Sequence, residues 1–262
     1  MKPATLKPIP ISLATSIILS CTVSHAMQSQ PLNLPESAIA CESQITLSDG
    51  YQFLHESEDC QYNENLTVVK KGNLYGYANA QGKIIIEAQF DMAANFDDGL
   101  ALIKKGGKYG YINPKGKIII EPQFSNAWGF WEGRAKIKQN GKYGFIDKKG
   151  KIVIAPIYLN TGDWFENGLV RVAVNGKWGF INKDGKIIVE PRFDTAEDFS
   201  EGLASVGIKV DDGYKYGYIN PKGELVIATI YDTPANFIDG TAFVIKDNHA
   251  YYIDKSGKEV SF

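Results

Sequence analysis

Three histidines, three cysteines and four tryptophans are the side chains from which a chemical site would have to be built. A nucleophilic triad or a general base needs a titratable group held in fixed geometry. His25 falls in an apolar N-terminal leader. His55 lies in the segment that carries two of the cysteines. His249 takes the hairpin position held by Lys108, Lys142 and Lys177 elsewhere, and reads as a solvated turn residue. Glycoside hydrolysis needs two carboxylates facing across a cleft. Asp97-Asp98 and Asp211-Asp212 are instead neighbours within loops and read as wet surface. Glu87, Glu121 and Glu190 recur at one repeated position, so they serve the fold. Asp211-Asp212-Gly213 supplies too few oxygens for calcium. The glycines fall at repeat spacing and form no phosphate-cradling loop. The expectation is a chain with no catalytic residue, no metal site and no cofactor.

The aromatic residues are the better lead. Tyr109, Tyr111, Phe124 and Phe130 have equivalents throughout the chain and read as core. Trp128 and Trp131 flank Phe130, and Trp164 precedes Phe165 beside a one-residue insertion. Their counterparts, such as Ala94, Asp97, Asp198 and Ser200, are small, polar or charged. Clustered aromatic residues at positions the fold does not demand suggest a binding surface for a protein, a peptide or a sugar face. The competing reading is that they fill a local gap. Trp128, Trp131 and Trp164 are therefore the candidate binding residues.

What must position them is a repeated phrase. Tyr109-Gly-Tyr-Ile-Asn-Pro-Lys-Gly-Lys-Ile-Ile-Ile120 returns at Tyr75, Tyr143, Trp178 and Tyr216, and in degraded form at Ala250. Its turn glycines are Gly82, Gly116, Gly150, Gly185, Gly223 and Gly257, a period of about 34 residues that signals a repeat architecture. If units open after each Phe-x-x-Gly step, six begin at Leu66, Leu100, Arg134, Leu169, Leu203 and Thr241. In the first strand, pairs such as Ala101/Ile103 and Val170/Val172 stay apolar. The position between them wanders through Leu102, Lys136, Arg171, Ser205 and Phe243, which predicts one buried and one wet face.

Gly106-Gly107, Asn140-Gly141 and Asn175-Gly176 predict type I′ hairpins. In the second strand, Gly110 predicts a close approach by a neighbouring sheet. Asn113-Pro114-Lys115-Gly116 predicts a type I turn with a glycine bulge. Ile118-Ile119-Ile120, apolar on both faces, predicts a strand in the middle of the packing. A connector through Ala127 and Phe130 follows, too short for a stable helix.

The first residues are not fold. Lys2 and Lys7 precede an apolar run from Ile9 to Val23, and Ser24-His25-Ala26 offers small residues for a signal peptidase. Residues 1–26 read as a secretory signal peptide, with lipidation at Cys21 as the alternative. Residues 27–37 read as a linker with Pro31 and Pro35. Residues 38–65 read as an N-terminal cap. In an exported chain, Cys41 and Cys60 form an even pair and are expected to make a disulfide. Losing residues 1–26 removes Lys2 and Lys7 and no acid, leaving 26 bases against 30 acids, a formal net of −4. That balance argues against a nucleic-acid partner, and the mature chain is expected to have no stable transmembrane segment.

The phrase Lys-[Tyr/Trp]-Gly-[Tyr/Phe]-Ile-[Asn/Asp]-x-x-Gly-Lys, followed by Glu-Pro-x-[Phe/Tyr] and Phe-x-x-Gly-Leu-Ala, resembles the bacterial WG-repeat family. Trp178-Gly179 is its one literal Trp-Gly. A weaker resemblance is to the aromatic hairpins of cell-wall-binding repeats. The WG resemblance implies a β-rich repeat scaffold, without a defined activity and without site residues to carry over.

The reading is an all-β protein of six tandem three-stranded β-meander repeats over residues 66–262. They stack as an open curved solenoid, or alternatively close as a six-bladed propeller-like ring. The expected function is a non-catalytic exported scaffold for protein–protein interaction, periplasmic or extracellular. Peptidoglycan binding and a glycan-acting enzyme are the alternatives.

Overall fold

The computed structural model describes residue 47 and residues 49–54 and 63–261. The chain divides into Met1–Ala38 and Ile39–Phe262, and every described residue belongs to the second unit. The expectations for the signal peptide, the linker, Cys21, Cys41, Cys60 and His55 lie outside the described residues.

The described chain is all β, in six small antiparallel sheets that follow one another in sequence. The first contains β1 (Gln52–Phe53), β2 (Leu66–Lys71), β3 (Leu74–Asn79) and β4 (Ile84–Phe90). The second contains β5 (Met92–Asp97), β6 (Leu100–Lys105), β7 (Lys108–Ile112) and β8 (Ile118–Phe124). The third contains β9 (Asn126–Trp131), β10 (Arg134–Gln139), β11 (Lys142–Ile146) and β12 (Ile152–Tyr158). The fourth has three strands, β13 (Leu169–Val174), β14 (Lys177–Asn182) and β15 (Ile187–Phe193). The fifth has β16 (Thr195–Ala196), β17 (Ala204–Val210), β18 (Gly213–Ile219) and β19 (Leu225–Tyr231). The sixth has β20 (Thr241–Lys246), β21 (His249–Asp254) and β22 (Glu259–Val260). No helix among the described residues is long and apolar enough to cross a membrane.

The three-stranded meander is present in every sheet, and in four of them a fourth strand is added. That strand is the connector. Asp98 and Gly99 both have positive φ, so the Phe-x-x-Gly step is itself a tight hairpin. It folds β5 back onto β6, with Ala93 opposite Ile103 and Phe96 opposite Ala101. A sheet therefore begins at the connector, not after it. In the first sheet β1, from the segment read as a cap, takes the connector's place beside β2.

The expected turns are present. Asn140 and Gly141 both have positive φ, as do Asn175 and Gly176. In the next turn, Asn113 Oδ1 accepts hydrogen bonds from the amides of Lys115 and Lys117 at 3.1 and 3.0 Å. A short polar side chain thus closes the turn before the isoleucine run.

Three expectations differ from what is found. Gly110 does not face another sheet. A Cβ there would lie 2.6 Å from the carbonyl oxygen of Ile120, across a register shift in the same sheet. The glycine that meets a neighbouring sheet is the turn glycine: a Cβ on Gly116 would lie 3.3 Å from the Ile86 side chain. The isoleucine strand is the sheet's edge, and Ile119 is 38% exposed. Pro122, Pro156 and Pro191 interrupt such edges, which discourages pairing with other strands. Finally, the wandering position of the first strand is buried in the second, third and fifth sheets, where Leu102 is 7%, Lys136 4% and Ser205 2% exposed, while Phe243 in the last sheet is exposed. The connector of the following sheet covers Leu102 and Lys136.

One contact recurs at every junction. The phenylalanine of each connector packs against the second-strand aromatic of the sheet before it. Tyr77–Phe96, Tyr111–Phe130, Phe145–Phe165, Phe180–Phe199 and Tyr218–Phe237 have ring centroids 4.8 to 5.0 Å apart. In the sixth sheet the equivalent Tyr252 packs on Phe243 of its own sheet at 5.1 Å, and both are exposed.

Candidate functional site

The connectors carry the candidate residues, Trp128 and Trp131 on β9 and Trp164 in the irregular segment before β13. On β9, Ala127 and Phe130 are buried and oppose Ile137 and Ala135. Trp128 and Gly129 fall in the bulge between them. The Tyr111 hydroxyl donates to the Trp128 carbonyl at 2.7 Å and fixes the backbone there. Burial pushes the Tyr111 hydroxyl pKa up, so it remains a donor.

The Trp128 ring is half-buried and meets Tyr143 edge-on, with centroids 5.8 Å apart. Between them sits Lys136. Its Nζ lies 4.7 Å from the Trp128 ring centroid and 4.3 Å from that of Tyr143. The same Nζ donates to Asp163 Oδ1 at 2.7 Å. Two ring faces and a carboxylate compensate a lysine taken almost wholly out of water. Phe165 is held inward on Phe145, while Trp164, next to Asp163, is 52% exposed.

The next junction repeats the chemistry with arginine. Arg171 Nε donates to Asp198 Oδ1 at 3.0 Å, and a second guanidinium nitrogen donates to the Ala196 carbonyl. The guanidinium lies 5.2 Å from the Trp178 ring centroid. Burial pushes the Asp198 pKa up, Arg171 opposes it, and Glu197 and Asp163 add to it. The Asp163 and Asp198 carboxylates thus share one field. Gly162 has no room for a side chain against Asp198. The result is a continuous surface over two connectors, aromatic and charged, with Trp164 as its open aromatic face.

Trp128 and Trp164 are therefore linked through Lys136 and Asp163. Trp131 stands apart at the end of β9, opposite Arg134, with a buried indole N–H that has no hydrogen-bond partner among the described residues. Lys136, Asp163, Arg171 and Asp198 were missed as site residues. A signal for them exists: each base precedes its acid by 27 residues, in two consecutive units.

The other candidates find structural work. His249 lies at its hairpin against Tyr251. Asp97 is pushed up in pKa, first by burial and then by Glu64 and Asp98. Asp98 accepts from the Gly133 amide at 2.6 Å. Asp211 and Asp212 line an open cleft of about 410 Å³ with Val210, Tyr214, Lys215 and Asp232. Among the described residues no three His, Cys, Asp or Glu side chains converge as metal ligands would.

A family model described as WG containing repeat matches residues 75–109, 109–143, 143–178, 178–209 and 216–248. The chain belongs to the WG-repeat family. Each matched WG repeat runs from the first aromatic of one second strand towards that of the next, and so spans a junction between sheets. No curated protein matches the chain.

Among solved structures, a eukaryotic initiation factor is similar with a TM-score of 0.50 at 10% identity, over 80% of this chain and 64% of that one. The WG-repeat chain thus spans less than two thirds of that relative's length, and the likeness is one of fold. Hsv2 of Kluyveromyces lactis is similar with a TM-score of 0.43 at 11% identity, over 80% of this chain and 77% of that one.

Proposed function

We propose that this WG-repeat chain is an exported, non-catalytic scaffold that binds a protein partner in the cell envelope or outside the cell. The observation that carries the binding surface is the Lys136–Asp163 tie, which leaves Trp164 open beside a half-exposed carboxylate. A rigid aromatic face with fixed polar neighbours is the usual form of a contact hot spot. The carboxylates around it, Asp163 and Asp198, are held by Lys136 and Arg171 and serve to orient the surface. Export rests on the leader-like residues 1–26, with attachment through Cys21 as the alternative, and with Cys41 and Cys60 paired in the oxidising compartment.

A second reading is cell-wall glycan binding, favoured by the same exposed Trp164, since an indole face also suits a sugar ring. Co-sedimentation with purified peptidoglycan, run beside capture from an envelope protein extract, separates the two. Retention by the extract alone supports the protein partner, and sedimentation with the glycan overturns it. The mass of the mature N-terminus and non-reducing peptide mapping test export and the disulfide. An uncleaved leader or free thiols at Cys41 and Cys60 would contradict them.

A further inference from the structure

Each connector hairpin turns through two residues of positive φ, and the first of the two is an acid in five of six cases. Four of these acids reach forward one sheet, to the hairpin glycine there. The Gly99 amide donates to Glu64 at 2.7 Å and the Gly133 amide to Asp98 at 2.6 Å. The Gly168 amide donates to Glu132, and the Gly240 amide to Glu201, each at 3.0 Å. In three cases a lysine of that next sheet joins the same carboxylate: Lys148 on Asp98, Lys183 on Glu132 and Lys255 on Glu201, at 2.6 to 3.1 Å. Charge-assisted bonds of this kind are roughly twice as strong as neutral ones. Successive sheets are clasped at their hairpin ends.

One clasp is missing. In the fourth sheet Asn167 stands where the acid should be, and no described side chain accepts from the Gly202 amide. The lysine is gone as well: Pro221 holds the place of Lys148, Lys183 and Lys255. The fourth and fifth sheets keep the shared core, with Phe180 on Phe199 at 4.8 Å, and their polar bridges lie away from the hairpin ends. Arg171 reaches Asp198, and Arg192 donates to the Gly223 carbonyl at 2.8 Å.

We infer that the stack opens between its fourth and fifth sheets, as a clasped block of four and a clasped block of two that pivot about Arg171–Asp198. The pivot lies beside Asp163 and Trp164. If that surface binds as proposed above, its partner spans the joint and sets its angle.

The test is amide hydrogen exchange on the full chain with no partner present, so it stands or falls independently of the binding reading. The Gly202 amide should exchange at least about tenfold faster than those of Gly99, Gly133, Gly168 and Gly240. Asn167→Glu should bring Gly202 to within about threefold of the others, because Glu64 clasps Gly99 where Pro114 replaces the lysine. Equal protection of Gly202 in the wild type would overturn the inference. So would unchanged exchange at Gly202 in Asn167→Glu.

Discussion

Lys136 and Asp163 are joined by a hydrogen-bonded ion pair of 2.7 Å, although one belongs to the third sheet and the other leads into the fourth. Lys136 occupies the position that Leu102 fills one sheet earlier, so the fold takes either an apolar residue or a compensated charge there. Asp163→Asn should therefore destabilise by about 1–2 kcal/mol, less than a fully buried pair because Asp163 is half-exposed. Adding Lys136→Leu should restore the loss, since the charge then leaves along with its partner. Thermal melts of the two variants check this. A double variant no better than Asp163→Asn alone would contradict it.

The two kinds of glycine should respond differently. Gly110→Ala places a Cβ against backbone of its own sheet, which cannot yield, and should cost about 3 kcal/mol or more. Gly116→Ala meets only the flexible end of Ile86, but carries a φ of +77°, and should cost about 1–2 kcal/mol. Denaturant midpoints measured on both variants would contradict this assignment if Gly116→Ala proved the worse.

Acid stability should divide by sign. A hydrogen bond from Lys177 holds the Asp194 pKa below the usual carboxylate range, and one from Lys215 does the same for Asp232. Their contribution is present above the unfolded value, near pH 4, and is lost as pH falls through the lower folded value. Lys215, raised by Asp232, adds stability that is lost only as pH rises through its folded value. Burial raises Asp97 and Asp198, whose contribution runs the other way and improves on acidification. Asp194→Asn with Asp232→Asn should flatten the fall in melting temperature below about pH 4. An unchanged slope would contradict the assignment.

Much of the architecture was legible because it rests on local rules repeated many times. The 34-residue period, the Asn-Gly hairpins and the Asn113 turn all follow from backbone preferences of individual residues. The fourth strand was not legible, because Asp98-Gly99 reads as part of a connector until Asp97 is seen paired with Leu100 across it. Burial of Lys136 was hidden for another reason. A lysine between two apolar residues has the pattern of a half-wet strand; the flanking strands of its own sheet supply Trp128 and Tyr143, and the segment leading into the next sheet supplies Asp163. The exposed isoleucine edge erred in the opposite direction, since an apolar triplet carries no information about which strand is outermost. For the site, the anomaly at Trp128 and Trp164 was visible in the sequence, whereas the charges that organise it pair across 27 residues, from a strand to the next connector.

The central claim is that this WG-repeat scaffold binds through the surface centred on Trp164, and one comparison tests it directly. Wild type, Trp164→Ala and Ile238→Ala are compared for quantitative capture from an envelope extract, with melting temperatures measured in parallel. Both substituted side chains are exposed, so all three proteins should melt together. Trp164→Ala should lose at least about 2 kcal/mol of binding, roughly thirtyfold in retained partner, while Ile238→Ala retains it. Equal capture by Trp164→Ala and wild type would contradict the account.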